Sequence, residues 1–481
     1  MSSAETVSPE LATLIARMRW PVPAVKWWVA QELALLLISP RMRATTEAAL
    51  LRELECSRFE TETVEILFVF WLASLREQSY VCPQEVGRRV AARSPLSDLL
   101  LRSLCPTSAD LGSYLSPLTK HPIGASPTSD FLAAETQAFP RVLRSDLRFI
   151  EERTGLPLQT QFAYEWQASL ARVSDHSHRI DHFLESPRDQ HTGQFFTEQS
   201  ARARSAYLRT LAVAGEFGGI PSQVLERFSL STLPLDPSLA WLRPRPPVEG
   251  LKLSNPETPA VEVEEHVRSV LSAVSEAGLV GAISWNAEFA ENVRLDVTAT
   301  LWAGPDSTWP KSVPLSELVD PHIGMLMGEG VSPMGTCEQN EYGFESSVPT
   351  GFRPLAGHVN PGRFGYMQAE LFNRGIFAPT SASSASTLKL VSSGDRLKYF
   401  REDADLAQFG YWNTSWRPSY PRGGKPRCGT YLLLLQAPVE PMRIYVWRCT
   451  RFAAKQGDGA VDKSESFGTI TLADVSGEND G

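Results

Sequence analysis

The chain has 481 residues, 42% hydrophobic and 21% charged, with a formal net charge of −9 and a pI near 5.6. That length accommodates two to four domains, and the composition is that of an ordinary folded protein. The acidic balance argues against a general nucleic-acid binder, which carries a basic excess, and apolar runs such as residues 66–73 are too short to span a bilayer.

Six cysteines, Cys56, Cys82, Cys105, Cys337, Cys428 and Cys449, contain no C-x-x-C pair, which argues against a zinc ribbon or a redox motif. The start, Met1-Ser-Ser-Ala-Glu-Thr, lacks the charged and apolar regions of a signal peptide. The expectation is a soluble, cytoplasmic protein with reduced thiols and no membrane segment.

Residues 8–105 read as consecutive helices. Val25, Trp28, Val29, Leu33, Leu36 and Leu37 share one helical stripe. A second helix is predicted over 46–56 and a third over 63–75, the latter apolar nearly all round and therefore buried between neighbours. Ser94-Pro95 supplies an N-cap and a first-turn proline for a helix carrying Leu96, Leu99, Leu100 and Leu104. The segment from Pro23 through Val25-Lys26 and the small pair Val29-Ala30 to Leu33 and Leu36 resembles the second helix of a HEAT-like repeat. The resemblance covers about the first fifth of the chain and implies a helical stack that presents a surface to a partner.

Residues 106–135, rich in Ser, Pro and Gly, read as a connecting loop. Helices are predicted again over 139–154, 157–184 and 195–216, with a short one after Pro221. Prolines 244, 246 and 247 then favour an extended linker. The expected organisation is a HEAT-like helical region at 1–105, a second helical region at 106–242, a linker at 243–260, a β-rich domain at 261–475 and an acidic tail at 476–481. Fold class is therefore α+β and multidomain, with an α-helical N-terminal half followed by a β-rich C-terminal domain.

Within the β-rich part, residues 261–274 form one more helical stripe, through Val263, Val267, Val270, Leu271 and Val274. Val293, Leu295, Val297, Ala299 and Leu301 alternate with polar residues, the pattern of a half-buried strand. Leu388–Val391 and Arg396–Phe400 flank a turn signal at 392–395 and predict a hairpin. Residues 429–435, apolar on both faces, read as a central strand paired with 442–447, and a last strand is expected over 467–472. Long loops are expected at 303–360 and 373–387.

No segment carries a strong catalytic motif. The densest polar cluster is His176, His178, Asp181 and His182, with His191 nearby; neutral imidazoles and carboxylates ligate divalent metals. The string is similar to the H-x-H-x-D-H motif of metallo-β-lactamase-like hydrolases, but it reads H-x-H-x-x-D-H and has helical flanks, so the assignment fails. A polar helix end is the plainer reading, and no metal or other cofactor is expected; a divalent metal serving a hydrolase is the alternative. Arg202, Arg204 and Arg209 make a locally basic helix that could clamp an anion or nucleic acid, against the plainer reading of a solvated face paired with acids. Cys337 with His358 could support thiol catalysis if the two meet, the plainer reading being a buried cysteine and an ordinary histidine. Trp412 and Trp416 alternate with polar residues and suit stacking on a ligand, although aromatic side chains more often close a core. Gly423-Gly-Lys425-Pro426 lacks the first glycine and the hydroxyl of a phosphate-binding loop and reads as a turn.

Taken together, the residues favour a non-enzymatic interaction or adaptor subunit of a larger intracellular assembly with a protein partner. The Arg- and Trp-rich style suggests a bacterial source, and a multi-gene system such as a defence system fits it. The competing expectations are a metal-dependent hydrolase at His176, His178 and His182, and anion or nucleic-acid binding along Arg202–Arg209.

Overall fold

The computed structural model describes residues 8–20, 23–105, 141–169, 198–243, 245–246, 261–290, 293–305, 314–319, 321–323, 352–359, 365–368, 375–380, 388–393, 396–401, 403–413, 428–436, 439–454 and 461–476. The N-terminal half is helical and the C-terminal part is mainly antiparallel β-sheet. Backbone contacts divide the chain into two compact units. One is Met1–Trp241 with Glu329–Pro333 and Pro361–Ala369; the other holds the remaining residues from Leu242 onward. The first therefore embraces both the 1–105 region and the helices that follow it. Among the described residues no helix is long and apolar enough to cross a membrane.

In the helical unit the described helices are α1 (Pro9–Met18), α2 (Pro23–Ile38), α3 (Arg43–Cys56), α4 (Glu60–Arg76), α5 (Val86–Arg89), α6 (Pro95–Leu104), α7 (Arg141–Thr154), α8 (Leu158–Ala168), α9 (Glu198–Glu216) and α10 (Ser222–Ser229). Their ends follow local chemistry. Ser8 accepts the Leu11 N–H at 3.3 Å ahead of Pro9, and Ser94 accepts the Ser97 N–H at 3.2 Å ahead of Pro95. Every residue from Thr63 to Ala73 of α4 is buried, as a helix apolar nearly all round requires. A second core gathers Leu143, Leu147, Phe162, Trp166, Tyr207 and Leu211 from α7, α8 and α9.

The sheet unit starts with α11 (Val261–Ser275), whose Val263, Val267, Val270, Leu271 and Val274 pack on the sheet. The described strands follow: β1 (Leu279–Ala290), β2 (Val293–Gly304), β3 (His322–Ile323), β4 (Arg353–Pro354), β5 (Ala356–Val359), β6 (Ile376–Pro379), β7 (Leu388–Ser393), β8 (Arg396–Arg401), β9 (Ala404–Asn413), β10 (Cys428–Leu434), β11 (Met442–Ala454) and β12 (Val461–Thr471). Two short helices, α12 (Leu315–Leu318) and α13 (Leu472–Ser476), complete it. The main sheet runs β12-β11-β2-β1-β10-β9-β8-β7, with β4 added beside the end of β2; β3, β5 and β6 form a second, three-stranded sheet.

Several details differ from the sequence expectation. The strand pair 429–435 and 442–447 does not form: β10 pairs with β1 and β9, while β11 pairs with β2 and β12, so the chain crosses two strands between them. β2 is not half-buried. Thr298 and Thr300 on its polar side are 4% and 0% exposed, because Leu318, Val319, Val446 and Trp302 form a core on that face. The hydroxyls are satisfied there, Thr298 with Ser284 at 2.9 Å and Thr300 donating to the Val319 carbonyl at 3.3 Å. The last strand begins at Val461, six residues before the expected 467, because Val461–Ser466 carries an edge strand too polar to show an apolar alternation. The region expected as a long loop at 303–360 contains α12, β3, β4 and β5. Arg245, inside the expected linker, already belongs to the sheet unit through a backbone bridge to Asn413, with N···O distances of 2.8 and 3.0 Å.

Candidate functional site

The sequence-derived candidates separate into those the structure places and those it does not. His176, His178, Asp181, His182, Cys337 and Trp416 lie outside the described residues. His358 sits half-buried on β5, in register with His322 of β3 and with Phe377 of β6; its ring centroid is 4.3 Å from that of Phe377. Trp412 on β9 is no exposed platform. It is 0% exposed within the sheet core, and its ring lies over Gly429 of β10, where a Cβ would approach Cζ2 to 2.1 Å.

The arginines of α9 do not form an open basic face. Arg202, Arg204 and Arg209 are 4%, 1% and 5% exposed. Arg202 donates to the Ser169 hydroxyl at 2.9 Å and the Trp166 carbonyl at 3.1 Å while stacking on the Trp166 ring. Arg209 bridges Glu60 of α4 at 3.0 Å and Glu165 of α8 at 2.7 Å, and Gln161 donates to the other Glu165 oxygen at 3.0 Å. Burial opposes the charge on Arg209, but the two carboxylates outweigh it and raise its pKa, so the group is permanently a cation. These side chains are spent on holding α4, α8 and α9 together.

A second buried group adjoins the surface. Lys26 of α2 meets Glu65 of α4 at 2.6 Å, and the Tyr366 hydroxyl donates to the other Glu65 oxygen at 2.7 Å. Arg204 stacks on the Tyr366 ring at 3.8 Å from its centroid. Tyr366 stands in a 3₁₀ turn, Tyr366–Gln368, and belongs to the helical unit although it follows β5 in the chain. Gly365 makes this entry sterically feasible: its φ is +91°, and a Cβ there would lie 2.5 Å from the Leu235 Cα and the Pro234 oxygen. The next amide, Met367 N–H, donates to the Pro234 carbonyl at 2.9 Å. Burial and the Glu65 charge push the Tyr366 phenol well above its ordinary value, so it stays protonated and acts as a donor.

Glu65 also lines a surface cleft between α1, α3 and α4. Ile15, Met18, Leu50 and Ile66 give it apolar walls, and Glu53, Glu62 and Glu65 contribute carboxylates against the single guanidinium of Arg19. Each acid is held in place. Arg19 pairs with Glu53 at 2.5 Å, and Glu62 accepts the Arg58 and Phe59 N–H groups at 2.7 and 3.2 Å, capping α4. Immediately after Arg19 comes Trp20, 48% exposed, with the Arg17 guanidinium 5.5 Å from its ring centroid and 6.0 Å from that of Trp28. Trp20 is thus an exposed aromatic ring next in the chain to a residue that lines the cleft.

Sequence reasoning missed both the cleft and the buried ion pairs. A signal existed: Lys26 lies in an otherwise apolar stripe and Glu65 in an otherwise apolar helix, and charges in such positions must find partners. Nothing local to 365–368 marks it as part of the helical unit. No protein family matches this sequence, and no curated protein is significantly similar to it.

Proposed function

We propose that this chain is a non-enzymatic interaction subunit of a larger assembly in the bacterial cytoplasm, docking a protein partner on its helical unit through Trp20 and the α1–α3–α4 cleft. The observation that carries the reading is the half-exposed Trp20–Arg17 stack, next in the chain to Arg19, which lines the α1–α3–α4 cleft. That chemistry suits a partner segment that lays an apolar side chain against the Trp20 ring and the partly exposed Ile15. The buried Lys26–Glu65–Tyr366 set beneath would keep the cleft floor rigid, lowering the ordering cost of binding.

The test is co-purification of the tagged chain from its native host, followed by the same purification with Trp20→Ala and with Glu53→Lys. A stoichiometric protein that the Trp20 variant binds at least about tenfold more weakly supports the reading, since anchors of this type contribute on the order of 2 kcal/mol. A partner bound equally well by both variants removes this surface from the account. A chain recovered alone with stoichiometric metal favours the hydrolase alternative.

A further inference from the structure

Both Cys82 and Cys105 precede proline, in Val81-Cys82-Pro83 and Leu104-Cys105-Pro106, which restricts the backbone of each cysteine to extended conformations. The structure brings the two together. Arg43 of α3 fixes the first by donating to the Val81 carbonyl at 2.6 Å and stacking on the Tyr80 ring, whose hydroxyl donates to Glu47 at 3.2 Å. The second caps α6, its N–H donating to the Leu101 carbonyl at 2.7 Å. From there the Cys105 thiol reaches the carbonyl of Pro83, the residue that follows Cys82, at 4.0 Å, and the two thiols lie near enough to perturb each other's titration. Cys82 is buried while Cys105 is half-buried, so one sulfur faces solvent and the other stands behind it.

We propose that Cys82 and Cys105 are a reversible redox pair that closes to an intramolecular disulfide in the presence of an oxidised low-molecular-weight disulfide, tying the α4–α5 connection to the C-terminal end of α6. Cys105, as thiolate, attacks one sulfur of the oxidant; that S–S bond breaks, and one thiolate leaves with the electron pair. Cys82 then gives up its proton to solvent and attacks the Cys105 sulfur, expelling the second thiolate. Two protein thiols and one oxidant disulfide become one protein disulfide and two small thiols, the two electrons passing to the oxidant. The greater exposure of Cys105 makes it the attacking sulfur, and burial, which raises both thiol pKa values, makes the reaction slow at neutral pH. The device would respond to sustained oxidation. It is independent of the docking surface at Trp20.

The test equilibrates the full native chain in glutathione buffers of graded oxidised-to-reduced ratio, quenches with acid, alkylates and digests with trypsin. Expected is a linked pair of the peptides 77–88 and 103–120, two hydrogens lighter than the free pair and lost on reduction. Its abundance should follow a two-electron couple, with a tenfold change in the oxidised-to-reduced ratio for about 30 mV. Cys56, exposed, serves as an internal control that accepts glutathione but forms no linked peptide with either residue. Cys105→Ser, at a half-buried capping position, should leave Cys82 reduced throughout; Cys82→Ser should leave Cys105 carrying glutathione. Full alkylation of both thiols at every ratio, or glutathione on Cys105 with Cys82 still free in the wild type, overturns the proposal.

Discussion

Tyr366→Phe isolates one atom of the buried group in the helical unit. The ring stays, so its packing and the Arg204 stack at 3.8 Å are kept; what is lost is the hydroxyl that donates to Glu65 at 2.7 Å. Glu65 retains Lys26 at 2.6 Å but loses its second partner at a position only 5% exposed. A hydrogen bond to a charged group contributes about 1.5–3 kcal/mol, so the variant should lose about 2 kcal/mol. For a unit of this size that corresponds to roughly 4–8 °C in melting temperature. The assay is urea unfolding of the full chain followed by far-UV circular dichroism, with the Glu65→Gln single and double variants completing a thermodynamic cycle. The cycle matters because removing one member of a buried ion pair leaves the other uncompensated, a cost that a single variant does not apportion. The account predicts a coupling of about 1 kcal/mol or more between positions 65 and 366. A Tyr366→Phe chain within about 0.5 kcal/mol of wild type, the range of an ordinary surface change, would refute the placement of Tyr366 against Glu65.

Asp236 yields a prediction in pH. It is fully buried, with burial raising its pKa from 3.8 to about 6 against the lowering effect of the Ser238 N–H bond. A carboxyl with a raised folded-state pKa binds more protons in the native chain between those two values, so its contribution to stability falls as pH rises from about 4 to 6. The full penalty above that window is about 3 kcal/mol at 1.36 kcal/mol per pKa unit. Asp236→Asn keeps the acceptor for Ser238 and removes the charge; it should raise stability at pH 7 and flatten the pH 4–6 slope, and an unchanged slope in a pH series of urea midpoints would contradict this. Gly429→Ala places a Cβ 2.1 Å from Trp412 Cζ2 and should cost about 1–3 kcal/mol through overpacking, read as a lowered urea midpoint.

How far the sequence disclosed this fold depends on whether the determinants are local. Ser94-Pro95, the nearly all-apolar α4 and the valine stripe of α11 each carry their cause within one element, and each is found where the pattern puts it. The β7–β8 hairpin is legible for the same reason. Strand order is a different matter. β10 and β11 are neighbours in sequence, yet β1 and β2 lie between them, and no hydropathy pattern encodes which strands intervene. Burial of Thr298 and Thr300 was hidden because a threonine reads as polar until a second layer supplies partners for its hydroxyl. For the arginines of α9 the residue types pointed outward, while three-dimensional proximity to Glu60 and Glu165 turned Arg209 inward. The α1–α3–α4 cleft draws residues from three helices and was invisible to any reading of one segment at a time.

The most direct test of the interaction reading is the oligomeric composition of the tagged chain taken from its native host, measured by mass on a sizing column with protein, metal and nucleic-acid analysis of the same peak. The account predicts a complex with a second protein at fixed stoichiometry, lost or weakened about tenfold or more by Trp20→Ala. A peak containing the chain alone with one bound metal per molecule, or with nucleic acid released steeply by salt, would contradict it.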